Sequence, residues 1–187
     1  MTDVLTRNIV NGLDLDALGT YVQEVQQDPA NGMVRFAVST RWTGQTSSRT
    51  TVKGYDIGGQ HVERRFEIAA DEPHELLGNN TAPNPQELLM AAVNACMTVG
   101  YVAGASLNGI TLDSLEIETS GELDLRGFLG LDDSVAPGYD TIDYIVRISG
   151  NGTREQFEEI HQTVMKTSPN YFNLARPIRM NGKLQLA

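Results

Sequence analysis

Asn84-Pro85-Gln86-Glu87-Leu88-Leu89-Met90-Ala91-Ala92-Val93-Asn94-Ala95-Cys96-Met97-Thr98-Val99-Gly100-Tyr101-Val102-Ala103-Gly104-Ala105-Ser106-Leu107-Asn108-Gly109 holds the most apolar run of the sequence and its clearest helix signal. It opens with a strong helix start: Asn84 suits the N-cap, Pro85 brings its fixed φ to the first helical position, and Glu87 stands where a capping box needs a carboxylate. Asn108-Gly109 is a favoured stop. Between them the side chains are apolar almost all round and rich in alanine and glycine. Such a helix has to be covered on every side, by neighbouring elements or by another subunit, so the pattern predicts a buried central helix. Leu88 to Ala105 approaches the length of a membrane span. Asn94, Thr98, Gly100 and Gly104 interrupt it and strand patterns flank it, which favours a buried helix.

Upstream, Leu15, Leu18, Val22 and Val25 fall at helical spacing and predict a helix over 15–27, stopped by Asp28-Pro29 and Asn31-Gly32. Val34, Phe36 and Val38 alternate with Arg35, Ala37 and Ser39. Thr50 to Tyr55 is a second extended run, closed by Asp56-Ile57-Gly58-Gly59. In a third, Val62, Arg64, Phe66 and Ile68 oppose His61, Glu63, Arg65 and Glu67. This alternation predicts an antiparallel sheet with one wet face. Residues 71–83 are polar and read as a loop. Downstream, Leu115-Ile117-Thr119 and Ile142-Tyr144-Val146-Ile148 predict two more strands, joined by a loop over 126–138. Thr153 with Gln156 predicts a capping box and a helix carrying Phe157, Ile160, Val164 and Met165 on one face. Thr167-Ser168-Pro169 ends it, with Ser168 capping a short helix to about Leu174, and a last strand is predicted over 178–186. The order of elements is that of an α+β domain.

The totals narrow the function. A chain of 187 residues can bury a core of its own. A net charge of -10 argues against nucleic acid and anionic membrane as partners. The first 25 residues lack a basic flank followed by an apolar run, so a secretory signal is not expected. One cysteine excludes an internal disulfide and a cysteine zinc cage. His61, His74 and His161 show no ligand spacing and are expected to be surface or helix residues without a role. No metal and no cofactor are expected. A lone thiol without an export signal fits a reducing cytoplasm.

Pro83 to Cys96, with its proline-led start and a cysteine about three turns on, resembles the signature helix of the OsmC/Ohr family. Ile68 to Glu72 followed by Leu77-Gly78 resembles the family's approach to that helix. Leu123-Asp124-Leu125-Arg126-Gly127-Phe128-Leu129-Gly130 resembles its strand-to-loop segment. Thr167-Ser168-Pro169 falls where the family often has a second cysteine before a proline. The likeness runs from roughly Trp42 to the C-terminus. It implies an OsmC-like domain over 31–187 with residues 1–30 as a helical extension, and antiparallel sheets around the central helix. It also implies an intertwined homodimer with two active sites at the subunit interface.

The resemblance implies that Cys96 is a peroxidatic nucleophile, aided by an arginine from the N-terminal sheet and a glutamate at the helix start. Arg49 is the matching arginine, with Arg41 as the second candidate. A cysteine in mid-helix gains little from the helix dipole, which fades beyond the first turn, so a nearby cation must favour the ionised sulfur. The family's glutamate position is held by Gln86. Glu87 follows it, lies on the opposite side of an ideal helix from Cys96 and about 13 Å away, and has a full explanation as the N3 cap. Ser168 is the largest departure: a hydroxyl cannot form the resolving disulfide. Two functions follow. One is thiol-dependent reduction of organic or hydrogen peroxides by Cys96 with an external thiol reductant. The other is a catalytically silent member of the fold that binds a small apolar ligand at the dimer interface, with Gln86 and Ser168 among the pocket residues.

Overall fold

The structure, a computed structural model, describes residues 8–186. The first seven residues of the predicted extension and the final residue lie outside that range. The described residues fall into two compact units, one up to Ala91 and one from Ala92.

The first unit begins with a two-stranded ladder, β1 (Ile9–Val10) and β2 (Leu13–Asp14). Helix α1 (Leu15–Gln27) follows, its N-cap Asp14 accepting from the Ala17 N–H at 3.0 Å. A four-stranded antiparallel sheet is built on β5 (Ser47–Ile57). One edge of β5 pairs along its length with β6 (Gln60–Ala70); the other is shared by β4 (Ser39–Gly44) and β3 (Val34–Phe36). The β5–β6 hairpin closes through Gly58-Gly59 at φ +53° and +76°, the left-handed pair that a two-residue turn requires. Strand β4 was not legible, since Ser39-Thr40-Arg41-Trp42-Thr43-Gly44 has no apolar alternation. Pairing with β5 makes it a strand, reinforced by the Thr40–Thr50 hydroxyl contact at 2.7 Å. Among the described residues β6 is exposed on both sides up to Ile68, with Phe66 58% accessible.

The polar loop 71–83 is organised by Asp71, which is buried. Its carboxylate accepts from the hydroxyls of Thr46 and Thr81, both at 2.8 Å, and from the N–H groups of Glu72, Asn79 and Thr81. These bonds, the Thr81 hydroxyl first among them, hold its carboxyl well below the usual carboxylate range although burial acts the other way. The loop thereby delivers the chain to Asn84 in a fixed direction.

Helix α2 (Pro85–Leu107) starts as the sequence predicts: the Asn84 N–H donates to Glu87 Oε2 and the Glu87 N–H to Asn84 Oδ1, each at 2.8 Å. By length and composition alone α2 could cross a membrane. Its polar residues are tied to protein instead: Asn94 donates to the Ile117 carbonyl at 3.1 Å and accepts from the Thr119 hydroxyl at 2.5 Å.

In the second unit, β7 (Leu112–Gly121) and β8 (Ile142–Gly150) form an antiparallel pair, with a short helix α3 (Leu125–Phe128) between them. Helix α4 (Arg154–Thr167) opens on the predicted Thr153–Gln156 capping box, and α5 (Pro169–Ala175) on Ser168. The core is the α2 stripe Val93, Met97, Tyr101 and Ala105, together with Ile110 and with Ile160 and Val164 of α4. Leu115, Ile117, Tyr144, Val146 and Ile148 of the sheet pack on it. Each fully buried methionine, isoleucine or valine of this core contributes about 1.5–3 kcal/mol. Gly100 and Gly104 set the approach of the two helices: a Cβ there would stand 3.1 Å from Val164 Cγ2 and 3.0 Å from Ile160 Cγ2.

Among the described residues, helix α2 is covered on one face, which is compatible with the expected cover by neighbouring elements together with another subunit. Its buried residues are Val93, Met97, Tyr101, Ala105 and Ser106, while Val99 is 70% exposed; β7, β8 and α4 cover the buried face. One expectation needs correction: the strand predicted over 178–186 is absent, for the segment forms no regular structure and pairs with no described strand, leaving Met180, Leu184 and Leu186 exposed. Alternating apolar residues make a strand only when a neighbouring edge accepts their backbone hydrogen bonds.

Candidate active site

Cys96 lies at the middle of α2, half-buried and one position before the core residue Met97. The element that meets it is the α4–α5 junction. Docking of Ile160 and Val164 on Gly104 and Gly100 brings α4 along α2, and the chain turns at Ser168 where Pro169 forbids the helix to continue. Ser168 is 5% exposed, and its N–H and hydroxyl together make three contacts. Its N–H donates to the Val164 carbonyl at 2.8 Å, closing α4; its Oγ accepts from the Tyr171 N–H at 3.5 Å, opening α5; and its hydroxyl donates to Cys96 Sγ at 3.3 Å. Asn170 Nδ2 donates to the Ala92 carbonyl at 2.8 Å, tying α5 to the turn of α2 just before the cysteine. The predicted N-cap role of Ser168 holds, and the same hydroxyl reaches the thiol.

The other sequence candidates are placed as follows. Glu87 is engaged in the capping box with Asn84. Gln86 is half-buried on the first turn of α2. Arg49, on β5, lies 3.8 Å from Glu67 in a pair of which both members are nearly half-exposed, an ion pair worth at most about 1 kcal/mol. Arg41 stands directly opposite Arg49 in the β4–β5 register. Both arginines belong to the first unit and Cys96 to the second.

The structure also brings together a group without a motif. Tyr101, 1% exposed, hydrogen-bonds through its hydroxyl to His161 Nδ1, and their rings stack at 6.0 Å. Tyr144 stands 6.2 Å from the same imidazole. Burial pushes the Tyr101 phenol up, with Tyr144 adding to it. The pair borders an open cleft of about 720 Å³ lined also by Val146, Ile148, Phe157, Arg154 and Glu158. His161 is thus a helix residue, as expected, and is partnered beside the core. The signal that could have found it was positional: Tyr101 follows Met97 by four on the buried stripe, and His161 directly follows the core residue Ile160.

The arrangement is that of a one-cysteine α+β protein whose thiol sits in the middle of its longest helix, beneath a buried hydroxyl from a second helical hairpin. Residues 78–182 match the family described as OsmC-like protein, over half of the sequence, and the chain belongs to that family. Solved structures share the fold. An OsmC like protein from Mycoplasma pneumoniae superposes with a TM-score of 0.60 at 15% identity, covering 75% of this chain and 87% of its own. A putative osmotic stress induced and detoxification response protein from Psychrobacter arcticus gives 0.56 at 14%, covering 74% and 87%. An OsmC-like protein from Vibrio cholerae gives 0.52 at 14%, covering 75% and 93%. No curated protein sequence matches the chain.

Proposed function

We propose that this protein is a single-cysteine hydroperoxide reductase. The observation that carries the reading is the placement of the chain's one thiol, in an OsmC-like protein, on the central helix and within hydrogen-bond reach of a buried hydroxyl donor. The ionised sulfur of Cys96 attacks the distal oxygen of an organic hydroperoxide. An S–O bond forms, the O–O bond breaks, and the departing alkoxide takes a proton from solvent and leaves as an alcohol. With no second cysteine in the sequence, a low-molecular-weight thiol or a dithiol protein reduces the sulfenic acid, giving a mixed disulfide and water, and then a free thiol.

Arg49 is the arginine that the family resemblance assigns to the thiol chemistry, with Arg41 as its neighbour. Two guanidinium groups directly opposite each other across a ladder repel, and an anion received between them relieves that repulsion. Glu87 shapes the helix start, and Gln86 takes the family's glutamate position without its charge. The exposed face of α2 bearing Leu89, Val99 and Leu107 favours a homodimer in which this helix meets its copy. The cytoplasm, where small thiols are abundant, suits the cycle.

The test is consumption of cumene hydroperoxide by the purified protein with dithiothreitol as reductant. Turnover is expected in the wild type, none in Cys96→Ser, and a loss of about 100-fold or more in Arg49→Gln, the scale of a removed charge-stabilising group. Equal rates for wild type and Cys96→Ser would leave the chain as a silent member of the fold that binds a small apolar ligand.

A further inference from the structure

Ser168 occupies the place of the missing resolving cysteine, yet it is not a neutral replacement. Its hydroxyl has one proton to give. Its acceptor side faces the Tyr171 N–H, so the proton points at Cys96 Sγ, 3.3 Å away. The serine is fixed from three sides: by its own N–H on the Val164 carbonyl, by Pro169 behind it, and by Asn170 clamped to the Ala92 carbonyl one helical turn before Cys96. At 5% exposure little water competes for the contact.

We propose that Ser168 is a positioning residue for the thiol chemistry: its hydroxyl donates first to the ionised sulfur of Cys96 and then to the oxygen of the sulfenic acid. The inference rests on the hydroperoxide reductase reading. The hydroxyl keeps its proton throughout. Oxidation of Cys96 by the hydroperoxide forms S–O and breaks O–O as above, and the new S–OH oxygen takes over the hydrogen bond. A thiolate from a low-molecular-weight thiol then attacks the sulfenic sulfur. The S–S bond forms, and hydroxide leaves as water after gaining a proton. A second thiolate attacks the mixed disulfide, returning the Cys96 thiolate and releasing the oxidised small disulfide. Where a cysteine at this position would close the cycle inside the chain, a serine holds the oxidised state open for an external thiol.

The test compares the rate of Cys96 alkylation by monobromobimane across pH in wild type, Ser168→Ala and Ser168→Thr. Loss of a hydrogen bond to a charged sulfur is expected to move the midpoint upward by about one pH unit in Ser168→Ala, while Ser168→Thr restores the wild-type profile. The titratable groups of the neighbouring elements, among them Glu158, Glu159, His161 and Lys166 on α4, Tyr171 on α5, and Asp143 and Tyr144 on β8, are the same in all three, so a difference between profiles reports position 168 alone. Superimposable wild-type and Ser168→Ala profiles overturn the proposal. Removal of the α5 cap could unfold Ser168→Ala, and Ser168→Cys covers that case. Treatment with diamide is expected to join position 168 to Cys96 in a disulfide, seen as the loss of two hydrogens in the intact mass; a product that stays fully reduced overturns the geometry. Neither reagent is a hydroperoxide. A protein whose thiol resists peroxide but shows the Ser168-dependent profile therefore loses the reductase reading alone, and one oxidised by peroxide with an unchanged profile loses the Ser168 role alone.

Discussion

Replacing Gly78 by alanine should unfold the approach to the central helix. A Cβ at this buried glycine would stand 1.8 Å from the Glu72 carbonyl oxygen and 2.4 Å from its carbon. Both are backbone atoms, so no side chain can swing aside, and the two segments have to part by more than an ångström. Parting them strains the bonds that define the loop: Gly78 N–H to the Pro73 carbonyl at 3.1 Å, Asn80 N–H to the Glu72 carbonyl at 3.0 Å, and Asn79 N–H to Asp71 at 3.2 Å. Overpacking costs about 1–3 kcal/mol and each lost hydrogen bond about 1 kcal/mol. The stiffer unfolded chain returns about 0.4–1 kcal/mol. The net expectation is a destabilisation of about 3 kcal/mol, measured by urea titration followed by circular dichroism. Gly182→Ala, where nothing lies within 4 Å, serves as control. A Gly78→Ala protein within about 1 kcal/mol of wild type, on a scale where surface substitutions stay near 0.5, would refute the packing of Gly78 against Glu72.

Gly104 presents the opposite case. The atom nearest its added Cβ is the tip of Ile160 at 3.0 Å, and the helix gains about 1 kcal/mol from alanine, so Gly104→Ala should stay within about 1 kcal/mol of wild type and Gly104→Val should lose about 2–3 kcal/mol in the same titration. Tyr101→Phe should cost about 1 kcal/mol, since the half-buried His161 can turn to water, and Tyr101→Ala about 3–5 kcal/mol through the cavity it leaves in the core. Asp71 sets an acid limit. Its carboxyl titrates lower in the folded than in the unfolded chain, so its contribution is complete above the ordinary carboxylate range and is lost as pH falls below about 4. Acid titration should therefore show Asp71→Asn, less stable at neutral pH, losing less further stability below that value than wild type; parallel curves would contradict the role given to Asp71.

The sequence foretold the elements that carry local signals. Asn84-Pro85-x-Glu87 and Thr153-x-x-Gln156 are caps written into the chain, and both hold in atomic detail. The membership of the family was likewise legible, in four short segments standing in the right order. What escaped the reading depends on partners far away in the chain. Strand β4 has no periodicity of its own and exists because β5 accepts its hydrogen bonds. The tail over 178–186 has the periodicity and no such edge. Asp71 looks like any loop carboxylate until Thr46 and Thr81 close on it. Within the site, the cysteine and the departure at position 168 could be named from the sequence. The contact between them, across 72 residues, could not.

The proposed reaction makes Cys96 a nucleophile toward hydroperoxides, and intact-mass spectrometry after one equivalent of cumene hydroperoxide in the presence of dimedone detects the sulfenic acid it forms. A single dimedone adduct is expected, mapped to the peptide containing Cys96 and absent from Cys96→Ser. Protein recovered with an unmodified Cys96 while peroxide remains in solution would contradict it.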